Sequence, residues 1–132
     1  MPPDVELSDL QVAVMRVLWD RGEATAAEVQ RALRRSRGLA ITTVSTLLSR
    51  LEKRGLVAHR EEGRAFVYRA AVSEPEVRKS MLGTLLRGLF AGDPTEVVSQ
   101  LLASRDVGPD DLARIESLID DAKRRAGRTR ER

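Results

Sequence analysis

The sequence predicts a mainly α chain with one small β-hairpin, and three observations carry that reading. Apolar residues recur at helical spacing in three successive stretches between Ser8 and Arg54. An alternating segment broken by Glu61-Glu62-Gly63 follows at once. Beyond Ser73 the chain returns to amphipathic helices, each opened by a capping residue or a proline.

The first helix starts at Ser8-Asp9-Leu10-Gln11, a capping box in which the serine oxygen can meet the amide three residues on. Leu10, Val14, Val17 and Leu18 form its apolar stripe, widened by Val12, Met15 and Trp19, and Gly22 ends it. A lone tryptophan at this spacing is read as core. A second capping box, Thr25-Ala26-Ala27-Glu28, opens a short helix with Val29, Ala32 and Leu33 inward. Its far end is expected to be Arg34-Arg35-Ser36-Arg37-Gly38, basic where the helix dipole is negative and closed by glycine.

The third helix is predicted from about Ile41 to Arg54. Val44, Leu47, Leu48 and Leu51 fall at i, i+3, i+4 and i+7 and must be buried. Thr43, Thr46, Arg50 and Lys53 occupy the opposite face, with Thr42 and Ser49 expected at its edges. Threonine is a costly choice for a solvated helix surface, because its branched Cβ loses rotamer freedom there. Short hydroxyls near a helix start do let that helix approach base edges, and a threonine methyl can meet a thymine methyl. Arg50 and Lys53 would then reach phosphates or a guanine edge.

After Gly55, Leu56-Val57-Ala58-His59-Arg60 reads as a strand, Glu61-Glu62-Gly63 as a turn, and Arg64 to Arg69 as the returning strand. Phe66 and Tyr68 are expected to alternate with Ala65 and Val67 as in a half-buried hairpin. Three helices followed directly by a hairpin is the order of a winged helix-turn-helix domain, in which the second helix of the motif reads the major groove. Arg64, beside the hairpin tip, is placed to contact a phosphate or enter a minor groove, and Arg35 and Arg37 would flank the reading helix.

Charge supports this arrangement. Residues 1–30 hold two arginines against six acids, and residues 31–64 hold nine Lys/Arg against three acids. Residues 72–122 reverse again, with five basic and ten acidic groups. A basic block between acidic ones is a localised footprint for a polyanion, which points to double-stranded DNA as partner.

Three further helices are predicted: Ser73 to about Phe90, a short one from Asp93-Pro94-Thr95-Glu96, and one from Gly108-Pro109-Asp110-Asp111. Leu82, Leu85, Leu86, Leu89, Val98, Leu101, Leu102, Leu112, Ile115, Leu118 and Ile119 supply their apolar faces. Three helices this small cannot bury such faces within one subunit, so a copy of the chain is the expected cover. The expected domains are therefore residues 1–71 for DNA binding, 72–122 for dimerisation, and a disordered basic tail over 123–132.

The composition excludes much else. There is no cysteine, so disulfides and thiolate metal sites are excluded, and with one histidine, His59, most zinc sites and histidine-based catalysis are not expected. No metal, cofactor or catalytic set is expected, and the chain is not read as an enzyme. No apolar run approaches the roughly 18 residues of a membrane span, and no signal segment opens the chain, so a cytoplasmic location is expected. Two other readings stay open: a winged-helix regulator released directly by a small molecule, and a winged helix that binds protein.

Three runs together resemble one family. Leu7-Ser8-Asp9-Leu10 leads to Val14-Met15 and Leu18-Trp19; Thr43-Val44-Ser45-Thr46-Leu47-Leu48-Ser49-Arg50-Leu51 follows; Glu62-Gly63-Arg64-Ala65-Phe66-Val67-Tyr68 comes last. In combination, and over nearly the whole chain, they resemble the penicillinase repressor and methicillin-resistance repressor family of winged-helix regulators. The resemblance implies a homodimer on a palindromic operator that silences β-lactam resistance or related genes, with residues matching Thr43, Thr46 and Arg50 on DNA. It also implies release by a membrane sensor protease that cuts in the short C-terminal helix. The family's usual asparagine and phenylalanine at the cut are matched here by Gln100 and Leu101, and a frequent lysine by Thr42. The paired cysteines of a copper-responsive branch are absent, which excludes that route of sensing.

Overall fold

The computed structural model describes residues 5–130. Residues 1–4, assigned above to the DNA-binding domain, and residues 131–132 of the expected tail fall outside that range. The element order is α1 (Asp9–Arg21), β1 (Ala24–Thr25), α2 (Ala26–Ala32), α3 (Ile41–Lys53), β2 (Val57–Glu62), β3 (Ala65–Ala70), α4 (Glu74–Gly88), α5 (Pro94–Leu102) and α6 (Pro109–Arg130). The chain forms two compact units, Met1–Thr84 and Leu85–Arg132.

In the first unit both capping boxes close as the sequence requires. Gln11 N donates to Ser8 Oγ at 3.2 Å while Ser8 N donates back to Gln11 Oε1 at 3.0 Å. Thr25 and Glu28 repeat the exchange at 3.2 and 3.0 Å. Gly22 ends α1 with φ +85°, a conformation that disfavours a side chain. Val14, Met15, Leu18, Val29, Val44, Leu48, Leu51 and Leu56 make the fully buried centre of the core. Trp19 lies against it, half-buried, and its Nε1 donates to the Val72 carbonyl at 2.9 Å. That bond ties the end of α1 to the chain leaving the sheet.

Four expectations need correction here. The sheet has three strands in the order β1-β3-β2, because Ala24 and Thr25 pair with Tyr68 and Val67. A two-residue strand that also supplies an N-cap leaves no periodic signal. With β3 in the middle, Val67 and Tyr68 are both buried while Ala65 and Phe66 are exposed, so the expected alternation is lost. The turn is Gly63-Arg64 between the paired residues Glu62 and Ala65, not Glu61-Glu62-Gly63. Gly63 alone takes positive φ there, at +62°, the habit of a two-residue hairpin loop with glycine first. Finally, α2 stops at Ala32, and Arg34 to Ser36 form turns rather than its last helical turn. Leu33, buried, anchors that segment and accepts from Arg37 N at 2.6 Å, and Gln30 Nε2 holds the Leu39 carbonyl at 2.9 Å just before α3.

The boundary between units also differs from the expected residue 71. Val77 is buried in the first unit's core and Met81 packs on it, while Val5 N donates to Ser80 Oγ at 2.9 Å. The first half of α4 therefore completes the N-terminal core, and the division falls within that helix.

In the second unit, Asp93 caps α5: its Oδ1 accepts from Thr95 N at 3.0 Å and from Thr95 Oγ1 at 2.6 Å, which holds its carboxyl below the usual range. Pro94 follows at the first helical position. The expected disordered tail is instead helical to Arg130 as the continuation of α6. Its basic residues follow Asp110, Asp111, Asp120 and Asp121, so acids precede bases along the dipole, and Arg124 pairs with Asp121 one turn back.

Candidate nucleic-acid interface

Helix α3 is amphipathic because its buried residues fall on one stripe: Val44, Leu47, Leu48 and Leu51. With 3.6 residues per turn, the opposite crest carries Thr42, Thr46, Ser49 and Lys53, all exposed. Thr43 and Arg50 lie on one flank, Ile41 and Ser45 on the other. Thr42 and Ser49 thus sit at the centre of the face and not at its edges, and Thr43 is displaced to the side.

Each flank borders a groove. Thr42, Thr43, Thr46, Leu47 and Arg50 line an open one of about 230 Å³. Four of the predicted site residues are therefore brought together. Lys53 is one turn further along the same helix, Arg64 is at the hairpin tip, and Arg35 and Arg37 are on the segment between α2 and α3. All four are exposed and lie outside the groove.

The second groove, about 370 Å³, is lined by Thr25, Ala26, Ala27, Ile41, Ser45, Ala65, Phe66 and Tyr68. Sequence reasoning missed it, since it joins the starts of two helices to a strand some forty positions away in the chain. The one local signal was Phe66, a large aromatic left 45% exposed beside the hairpin turn.

The cations of the basic block divide into engaged and free. Arg60 donates to Glu62 at 2.6 Å and to Glu23 at 2.8 Å, and these carboxylates raise its pKa further. Arg54 Nη2 donates to the Glu6 carbonyl at 2.7 Å. Arg35, Arg37, Arg50, Lys53 and Arg64 form no ion pair among the described residues. An exposed cation without an internal partner has its charge available to a phosphate, whereas Arg60 would first have to give up two carboxylates.

His59 is half-buried. Its Nδ1 lies 2.6 and 2.8 Å from the carboxylate oxygens of Glu52, and its ring stacks on Phe66 with centroids 4.2 Å apart. No group of three or more His, Asp or Glu side chains suited to a metal ion occurs among the described residues. No described helix is long and apolar enough to cross a membrane.

A three-helix core, a three-stranded sheet ending in an exposed hairpin, and a polar crest on the third helix define a winged-helix DNA-binding domain. The chain belongs to the penicillinase repressor family, which matches residues 7–121. This is a family of DNA-binding transcriptional repressors, not of enzymes. The chain is 25% identical to the penicillinase repressor of Bacillus licheniformis, over 91% of its own length and 94% of that protein's. It is 19% identical to the methicillin resistance regulatory protein MecI of Staphylococcus aureus, over 86% and 93% of the two chains. Among solved structures it is similar to monomeric BlaI of Bacillus licheniformis in complex with the blaP half-operator. That match has 33% identity and a TM-score of 0.50, and covers 58% of this chain and 93% of that one.

Proposed function

We propose that this repressor binds a palindromic operator as a homodimer, with the crest of α3 in the major groove and the β2–β3 hairpin as its wing. The observation that carries the reading is the exposed crest of Thr42, Thr46, Ser49 and Lys53 with Arg50 on its flank, together with the exposed Arg64 at the hairpin tip. Short polar side chains admit a helix to base edges, and flanking cations neutralise phosphates. Arg35 and Arg37 add phosphate contacts next to the start of α3. The half-operator complex of the related BlaI supports this use of the domain.

Dimerisation is supported by where apolar surface remains. Among the described residues eleven large hydrophobic side chains are exposed, and nine of them lie at Leu82 or beyond: Leu82, Leu85, Leu89, Val98, Leu101, Leu102, Leu112, Leu118 and Ile119. Leu86 and Ile115 are half-buried. Fully burying one such side chain is worth about 1.5–3 kcal/mol, so a second copy that covers even part of this surface gains much. A two-fold pair would set two copies of α3 about 34 Å apart on one face of the duplex.

The regulated genes are, on this reading, those of β-lactam resistance or a related response, as the names of the relatives suggest. Release is by cleavage at Gln100-Leu101 by a membrane sensor protease. Both residues are exposed, but their peptide bond is inside α5, two residues from its end. A protease would have to open that last turn first.

Selection of bound duplexes from a random pool tests the whole reading. It should return a palindrome with half-sites one helical turn apart, whose affinity falls steeply with salt. Recovery of no preferred sequence, or binding indifferent to salt, would reject it.

A further inference from the structure

Glu52 is the only acid on α3 and sits in its last turn. Both of its carboxylate oxygens lie within hydrogen-bond distance of His59 Nδ1, at 2.6 and 2.8 Å, across from α3 to β2. His59 is the register partner of Tyr68, so the two side chains share one face of the sheet, and Phe66 follows two residues along on that face. The imidazole stacks on Phe66 with ring planes 20° apart and meets Tyr68 at 5.5 Å. The Tyr68 hydroxyl is pushed up in pKa by burial and by the Glu52 charge. Phe66 in turn stands two residues from Arg64 at the hairpin tip.

We propose that Glu52 and His59 are positioning residues for DNA binding: they brace the wing against the reading helix, so that Arg64 meets the duplex at a fixed offset from the α3 crest. This rests on the DNA-binding role assigned to α3 and Arg64. Besides this tie, the hairpin is anchored at its base, where Leu56 and Val57 are buried, while its outer half, Glu61 to Phe66, is exposed. β1 pairs with β3 only at Val67 and Tyr68, so beyond them the hairpin is a two-stranded ribbon, which alone is marginally stable in water. The Glu52–His59–Phe66 chain is the one polar-to-aromatic tie that reaches from α3 to that outer half among the described residues. Without it, Arg64 would still carry its charge but would lose its orientation, and ordering it on DNA would cost entropy at the moment of binding.

The test is a double-mutant cycle on the full chain, read as affinity for a duplex recovered from the random pool. Arg64→Ala is measured in the wild-type, Glu52→Leu and Glu52→Gln backgrounds. Leu and Gln remove the same charge, so their effect on net attraction is equal, but Gln retains an acceptor for His59. The expected result is that Arg64→Ala weakens binding in the wild-type and Glu52→Gln backgrounds and has a several-fold smaller effect in Glu52→Leu, where the charge remains but its orientation does not. Hydrogen exchange of the DNA-free protein gives a second readout: the amides of Arg64 to Phe66 should exchange faster in Glu52→Leu and His59→Leu, with α1 and α3 unchanged. An equal loss from Arg64→Ala in all three backgrounds, or unchanged hairpin exchange, overturns the inference. Failure of the wild-type chain to bind any duplex would instead overturn the DNA-binding reading beneath it.

Discussion

Thr46 Oγ1 donates to the carbonyl oxygen of Thr42, one turn earlier on α3, at 2.9 Å. The hydroxyl proton is thus committed to the helix backbone, a common resting place for a helical threonine. What Thr46 offers to a base edge is its methyl group and the remaining lone pairs of Oγ1. It can meet a thymine methyl or accept from an exocyclic amino group, and it is ill-suited to donate to guanine O6.

That asymmetry gives a sharp first prediction. Thr46→Val keeps the methyl and removes the acceptor; Thr46→Ala removes both. If the methyl is read, Thr46→Val should retain the selected base while Thr46→Ala relaxes it by about 1–3 kcal/mol at one step per half-site. If the acceptor is read, both variants should relax it. Duplex selection repeated with each protein distinguishes the two, and an unchanged preference in both would remove Thr46 from the reading face.

A second prediction follows from the division of the cations. Each phosphate neutralised contributes about 0.9 to the slope of log affinity against log salt. Arg64→Ala should lower the slope by about that amount and weaken all sequences alike. Arg60→Ala should leave it nearly unchanged, because Glu23 and Glu62 already hold that guanidinium. Titrations between low and moderate salt provide the check, and an equal slope change for both arginines would mean that internal pairing does not select the phosphate contacts.

The capping box of α2 makes acid stability a third test. Glu28 accepts from Thr25 N, and bonds to Thr25 backbone and side chain, with Arg21 and Arg31 nearby, hold its carboxyl below the ordinary value of 4.5. A carboxylate whose folded pKa is depressed binds fewer protons in the folded state than in the unfolded one. Its contribution is therefore complete above the unfolded value and is lost as pH falls through the folded value. Asp93 at the start of α5 behaves alike. Glu28→Gln should flatten the fall in stability below about pH 4.5, measured by urea unfolding at stepped pH. A slope identical to the parent would show that the box does not persist in solution.

The sequence was most informative where one element explains itself. The capping boxes at Ser8 and Thr25, the buried stripe of α3 and the hydroxyl face opposite it are all local patterns, and all are present. It was least informative where distant segments meet. The pairing of Ala24-Thr25 with β3, the docking of Val77 and Met81 on the first core, and the second groove beside Phe66 each depend on long-range contacts with no periodic trace. The tail was misread for a related reason: low apolar content argues against a packed core, but an arginine-rich segment that continues a helix already begun, with acids ahead of it, needs none in order to be helical. That Arg60 is held by Glu23 and Glu62 could not be read from the sequence, because Glu23 lies far from it in the chain.

The two kinds of apolar residue provide the last prediction. Leu48 is fully buried in the first unit and Leu118, on α6, is 64% exposed. Leu48→Ala should cost about 2–5 kcal/mol of stability, as a cavity in a close-packed core does. Leu118→Glu should cost the isolated subunit little, since a charge at an exposed helix position is well solvated. In a dimer that covers α6, the same glutamate would be forced out of water, at a cost that dissociates the pair. Sedimentation should therefore give a half-sized species for Leu118→Glu with helical content intact. Its affinity for a single half-site should be kept while that for the full palindrome falls towards it, because the two half-sites are no longer linked. A Leu118→Glu chain that still sediments as a dimer would take α6 out of the subunit contact and leave the exposed faces of α4 and α5 to form it.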